Sequence, residues 1–127
     1  MDANLTFMQN NIHFHLKFTL PNGHKFGPGK AELLSYIDQY GSISAAARAM
    51  GMGYAKASKM ARDMNKMCAS PLIKTYQGGQ DKGGATLTQK GTDILSTYQK
   101  WVYECKAESH KLMTQFENSN PSKEINK

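Results

Sequence analysis

From Ile12 to Leu20 apolar and polar residues alternate without a break: Ile12, Phe14, Leu16, Phe18 and Leu20 on one side, His13, His15, Lys17 and Thr19 on the other. A period of two predicts a half-buried β-strand. The nine residues that follow, PNGHKFGPG, are so rich in turn formers that no regular structure is expected before Lys30. The period then lengthens. Leu33, Leu34, Ile37 and Tyr40 line one face of a helix, and Gly41 is its natural stop. Ser42 or Ser44 offers a hydroxyl to cap the next helix, which runs through the strongly helical AAARAM. Gly51 interrupts, and a third helix is predicted from about Gly53 to Lys66. Pro71 keeps Ser70 out of the helical region beyond it.

Two short apolar runs, LIKTY and ATLT, flank the glycine-rich QGGQDKGG and read as a hairpin with a long tip. Thr88 is placed to cap a last helix from about Gln89 to Glu117. Its stripe takes in Ile94, Leu95, Tyr98, Trp101, Val102, Cys105, Leu112, Met113 and Phe116. The tail NSNPSKEINK is polar and predicted to be disordered. Strand, three helices, hairpin, long helix is the order of a winged helix-turn-helix. The fold class expected is therefore mainly α with a small β-hairpin, carrying an N-terminal strand and a long C-terminal dimerisation helix. The predicted organisation is a winged domain over residues 10–88, a dimerisation helix over 89–117 and a tail over 118–127.

The stretch from Gly41 to Asn65 explains itself in those terms. Two helices crossing steeply through a short turn need a small residue where they touch and a glycine that tolerates positive φ. Ala47 and Gly51 fill those roles, with Ala46, Met50, Met52, Ala57 and Met60 facing the core. On the third helix Ala57, Met60, Ala61 and Met64 share the inner face. The outer face carries Ala55, Lys59, Arg62 and Lys66, flanked by Lys56 and Ser58. A helix that is small and apolar inside, basic and polar outside, suits the major groove of DNA. Tyr54, Ala55, Ser58 and Lys59 then approach base edges, while Lys56, Arg62 and Ser44 meet phosphates. Gly79, Gln80 and Lys82 of the glycine-rich loop form the second contact, as a wing over about 76–86 on the backbone or minor groove.

Composition agrees. The 127 residues carry 16 basic and 10 acidic side chains, a net charge of +6, which suits a polyanionic partner. Cys68 and Cys105 match no metal spacing, and a reduced, cytoplasmic protein is expected. The first ten residues lack the pattern of a signal peptide, and no stretch reaches the ~20 apolar residues of a membrane span. His13, His15 and His24 are joined by no cysteine or carboxylate at ligand spacing, so neither metal nor cofactor is expected. The carboxylates are scattered over solvated helix positions. GPGK lacks the length and the following Ser or Thr of a phosphate loop, and no enzyme is expected.

HFHLKFTL, FGPGKAELLSYID, GSISAAARAMGMGYAKA, DMNKM, PLIKTYQGG and GGATLTQKG together resemble the N-terminal DNA-binding domain of the ModE family, the molybdate-responsive transcription regulators. The resemblance covers about Ile12 to Tyr98. LysR-type regulators share a related helix-turn-helix but usually lack the leading strand and the glycine-rich wing. The ModE resemblance implies a sequence-specific, homodimeric DNA-binding regulator, with Ser44, Tyr54, Lys56, Ser58, Lys59 and the wing on DNA. The chain departs from the family pattern at Ala55, which follows the tyrosine where a basic residue is typical. It departs again at Ser58, often tryptophan, at Thr75, usually arginine, and at Gln80 and Asp81 in the wing. The operator is therefore not carried over. No molybdate-binding region is expected in this chain.

A helix from Gln89 to Glu117 spans on the order of 40 Å, longer than the winged domain can cover. Its stripe predicts a homodimer through Ile94, Tyr98, Trp101, Val102, Cys105, Leu112 and Phe116. The alternative is a winged-helix interaction module that binds another regulator rather than DNA, or that answers to a separate effector or protein partner. A surface of that kind prefers exposed apolar anchors to basic ones.

Overall fold

The computed structural model describes residues 14–77 and 83–119. Exposure alternates from Phe14 to Leu20 as the sequence pattern requires, yet only Phe18–Thr19 forms a laddered strand, β1. Its antiparallel partner is β2, Lys25–Phe26, with Phe18 opposite Phe26 and Thr19 opposite Lys25. The ladder is short because β2 offers no more residues to pair with. The absence of regular structure expected before Lys30 is corrected here. The turn formers concentrate in Pro21–Gly23, where Gly23 has φ 89° and Asn22 Oδ1 accepts from the His24 N–H at 3.1 Å. This frees Lys25 and Phe26 to pair. Helix α1, Pro28–Tyr40, then starts at the proline itself, whose fixed φ and missing N–H suit a first helical position.

Leu33, Leu34 and Ile37 of α1 are wholly buried. Tyr40, expected on the same face, is instead half exposed and stacks on Tyr36 with centroids 5.8 Å apart. Gly41 ends the helix in the left-handed region, φ 79°, its N–H bonded to the Ile37 carbonyl. Helix α2, Ile43–Ala49, is capped by Ser42, whose Oγ accepts from the Ala45 N–H at 2.9 Å. Ala46 and Ala47 bury their faces, and Gly51 takes φ 67° in the turn that follows. Helix α3 spans Tyr54–Asn65, with Gly53 and Lys66 as its caps. Ala57, Ala61 and Met64 point into the core.

Strands β3, Ile73–Tyr76, and β4, Gly84–Leu87, pair antiparallel from Ile73 opposite Leu87 to Tyr76 opposite Gly84. Thr88 caps α4, Gln89–Ser119, accepting from the Gly91 N–H at 3.0 Å. Contacts divide the chain into two units. One is Leu16–Tyr98, and α4 from Gln99 belongs to the other. In the first, Tyr98 closes the core edge-on against Phe26 and Phe18, centroids 5.2 and 6.0 Å away, and its hydroxyl donates to the Leu16 carbonyl at 2.7 Å. In the second, α4 exposes Tyr103, Leu112 and Phe116 by half or more. Among the described residues no helix is long and apolar enough to cross a membrane.

Candidate nucleic-acid interface

The crossing of α2 and α3 is set by two kinds of small residue. Ala46, Ala47 and Ala57 are almost wholly buried, so the helices approach closely. The Met52 N–H reaches back to the Ala47 carbonyl at 2.9 Å, a turn that Gly51 makes possible with its positive φ. With the apolar face of α3 used inward, Tyr54, Ala55, Lys56, Lys59, Arg62 and Lys66 are all exposed, and Ser58 is half-buried among them.

This surface continues into an open cleft of about 630 Å³ between the helix-turn-helix and the β3–β4 hairpin. Ser44 and Arg48 of α2, Ser58 and Arg62 of α3, and Thr75 and Tyr76 of β3 contribute to its walls. Both arginines lie along their own helices against a serine one turn back. Arg62 Nη1 donates to Ser58 Oγ at 2.9 Å, and Arg48 Nη1 to Ser44 Oγ at 3.3 Å. Each guanidinium keeps further N–H groups for an anion, since it has five. Lys59 is differently placed: its ammonium sits 3.2 Å from the Asp63 carboxylate, one turn on. That hydrogen bond lowers the Asp63 carboxyl from its ordinary value, against desolvation, which raises it, and together with the charges of Lys59, Lys30 and Lys66.

The hairpin is also tied to the helices near its loop end. The Ala85 N–H donates to the Gly41 carbonyl at 2.8 Å, tying β4 to the α1–α2 junction. At the next pair of the ladder, the Tyr76 ring lies across Gly84 so closely that a Cβ there would stand 2.8 Å from the phenol. Glycine at 84 thus lets the exposed tyrosine cover the strand beside the cleft.

No family model matches the chain. The molybdenum-pterin-binding protein MopB of Rhodobacter capsulatus is 36% identical over 97 residues, 76% of this chain and 34% of that protein. The transcriptional regulator ModE of Haemophilus influenzae is 35% identical over 88 residues, 69% of this chain and 34% of its own length. The DNA-binding transcriptional dual regulator ModE of Escherichia coli K12 is 34% identical over 71 residues, 56% and 27% of the two chains. The chain is a homologue of the ModE-type regulators. It spans about a third of the length of the curated relatives it matches. Among solved structures, a point mutant of MepR from S. aureus superposes with a TM-score of 0.53 at 20% identity, over 77% of this chain and 72% of that one. That likeness concerns the fold alone, a winged helix.

Of the residues that the sequence assigns to DNA, the cleft brings together Ser44, Tyr54, Ser58 and Arg62. Ala55, Lys56 and Lys59 stand on the exposed face of α3 but do not line it. Gly79, Gln80 and Lys82 lie outside the described residues, as do Ile12 and His13 and the tail from Asn120. Of the residues assigned to dimerisation, Tyr98 is only 6% exposed and is spent inside its own unit. Ile94, Val102 and Cys105 are half-buried, while Trp101, Leu112 and Phe116 are about half exposed. Sequence reasoning missed Arg48 and Asn65, named Thr75 only as a departure from the family pattern, and reached Tyr76 only as the first residue of the wing. For Arg48 a signal existed, because Ser44 stands four residues before it as Ser58 stands before Arg62.

Proposed function

We propose that this protein is a sequence-specific DNA-binding transcription regulator that acts in the cytoplasm as a homodimer. The observation that carries this reading is one continuous polar and basic surface, formed by the outer face of α3 and the arginine-walled cleft beside it. Helix α3 enters the major groove by its N-terminal end, placing Tyr54, Ala55, Ser58 and Lys59 near base edges. Lys56, Arg62 and Ser44 hold phosphates, joined by Arg48, which shares the cleft with Arg62. The wing, with Gly79, Gln80 and Lys82 at its tip, contacts the backbone or minor groove. The names of the ModE relatives support this, since one is itself called a DNA-binding regulator. A winged domain over 10–88, a dimerisation helix over 89–117 and a tail from 118 remain the organisation proposed.

The test is a titration of the purified chain against random duplex DNA and its own upstream region at two salt concentrations. Binding to both, tighter for the upstream region and weaker at high salt, is expected. Arg48→Ala and Arg62→Ala should each reduce the slope of log affinity against log salt by about one. Failure to bind either duplex at low salt rejects the reading in favour of a protein partner. For the dimer, replacing Leu112 and Phe116 by glutamate should yield a monomer in sedimentation, and an unchanged mass would refute assembly through that face.

A further inference from the structure

Asn65, the last residue of α3, reaches sideways into the main chain at the start of β3. Its Oδ1 accepts from the N–H groups of both Leu72 and Ile73, at 2.9 and 2.8 Å, while its Nδ2 donates to the Ile73 carbonyl at 3.0 Å. One side chain thus plays the part of a neighbouring strand where β3 begins. It fills both lone-pair directions of its oxygen and leaves one Nδ2 hydrogen. The same short segment is held from its other side. Thr88 donates its N–H to the Leu72 carbonyl at 2.9 Å, and the single hydrogen of its Oγ1 is shared between the carbonyls of Pro71 and Leu72, at 2.8 and 3.2 Å. The Leu72 side chain is itself wholly buried.

We infer that Asn65 is a positioning residue for DNA reading: it fixes the start of β3, the strand that brings Thr75 and Tyr76 to the cleft wall, against α3, so that helix and strand meet one duplex in a single register. The inference rests on the DNA-binding reading above. Its physical basis is the difference between phosphate and base contacts. Phosphate contacts tolerate small displacements and carry no sequence information, whereas base contacts fail when the element presenting them is loosely held. Asn65 carries no charge, so removing its amide leaves the electrostatic attraction to DNA intact. What goes is the fixed angle between the two DNA-contacting elements, and with it discrimination between duplexes.

The experiment uses the full chain and two probes: a duplex enriched by the wild-type protein from a randomised pool, and a scrambled duplex of the same composition. Asn65→Ala and Asn65→Ser are compared with wild type by fluorescence anisotropy, at a temperature where circular dichroism shows each folded. If Asn65→Ala does not fold, Asn65→Ser, which keeps an oxygen on the side chain, decides. The expected result is affinity for the scrambled duplex within about twofold of wild type and a loss of about tenfold on the enriched one. A folded variant that keeps the wild-type ratio overturns the inference and leaves Asn65 a purely structural residue. Parallel losses on both duplexes also overturn it, because they are the signature of a direct phosphate contact through the remaining Nδ2 hydrogen. If wild type enriches no duplex, the DNA-binding reading falls and this inference with it. The variant outcomes bear on Asn65 alone.

Discussion

Gly91→Ala opposes two effects of known sign, and the structure decides which wins. Gly91 lies in the first turn of α4. Judged by helix propensity alone, alanine there should stabilise the protein by about 1 kcal/mol. But Gly91 is buried, and a Cβ built on it runs into the Leu72 carbonyl oxygen, with the carbonyl carbon at 3.0 Å and Cα at 3.3 Å. All three are backbone atoms, so no side-chain rotation relieves the clash. Leu72 has little freedom to retreat: its side chain is wholly buried, its N–H is bound by Asn65 and its carbonyl by Thr88. Relief therefore requires α4 and the start of β3 to part by on the order of 1 Å. Overpacking of this kind costs about 1–3 kcal/mol, and weakening the Thr88 bonds adds about 1 kcal/mol. Set against the propensity gain, the net expectation is a loss of about 2 kcal/mol, or roughly 10 °C in melting temperature. Urea denaturation followed by circular dichroism measures it, with Thr92→Ala as the control. That neighbour is exposed on the same helix and should be neutral or slightly stabilising. A Gly91→Ala protein as stable as wild type, or more so, would refute the reasoning.

The remaining predictions test other parts of the molecule. Gly51→Ala meets nothing within 4 Å, so its cost should be only that of forcing a side chain to φ 67°, about 1 kcal/mol, with Gly51→Asn costing less in the same denaturation experiment. Asp63→Asn removes a negative charge from the face of α3 and releases Lys59, so duplex affinity at low salt should rise by about threefold, and the gain should fade at high salt. Burial raises the Tyr98 phenol above its ordinary 10.0, so the unfolded chain ionises first as pH rises. The stability this contributes is complete below pH 10.0 and is lost as pH climbs through the folded value. Tyr98→Phe, which loses the bond to the Leu16 carbonyl, should be about 1 kcal/mol less stable at neutral pH and should show a shallower alkaline loss in urea melts.

Periodicity and capping chemistry reveal the parts of this fold that one element determines by itself. The inner face of α3, the cap at Thr88 and the turn at Gly51 all depend on residues within a few positions of one another and are legible in the sequence, whereas the cap of α2 is narrowed there only to Ser42 or Ser44 and falls to Ser42 in the fold. The limits appear where a second element supplies the answer. The alternation from Phe14 to Leu20 is real, but the length of β1 depended on Lys25–Phe26, hidden in a stretch that composition marks only as turn. Tyr40 fitted the apolar stripe of α1 by spacing, yet the stripe is broad enough at its end that the ring stacks on Tyr36 in solvent instead. Tyr98 sits on the stripe of α4 with Trp101 and Leu112, and nothing in the spacing tells which of them its own domain will bury. The aromatic edge offered by Phe18 and Phe26 settles that for Tyr98.

The same distinction separates the half of the candidate interface that was read from the half that was not. Lys56, Lys59 and Arg62 were visible because a helix exposes one face whatever surrounds it. Arg48 and Thr75 belong to the site only because α2, α3 and β3 converge on one cleft, and convergence is a property of the packing. Asn65 is the extreme case. In sequence it is a polar residue at a helix end, and at that place an asparagine most often serves a turn. What gives it a different part is that the N–H groups of Leu72 and Ile73, seven and eight residues later where β3 begins, both bond to its Oδ1. Buried main-chain donors need acceptors, and here the C-terminal end of α3 supplies one. The need that shapes the start of β3 therefore also couples that strand to α3. A substitution that frees those two N–H groups must loosen the start of β3 from α3, even where it leaves every basic residue in place.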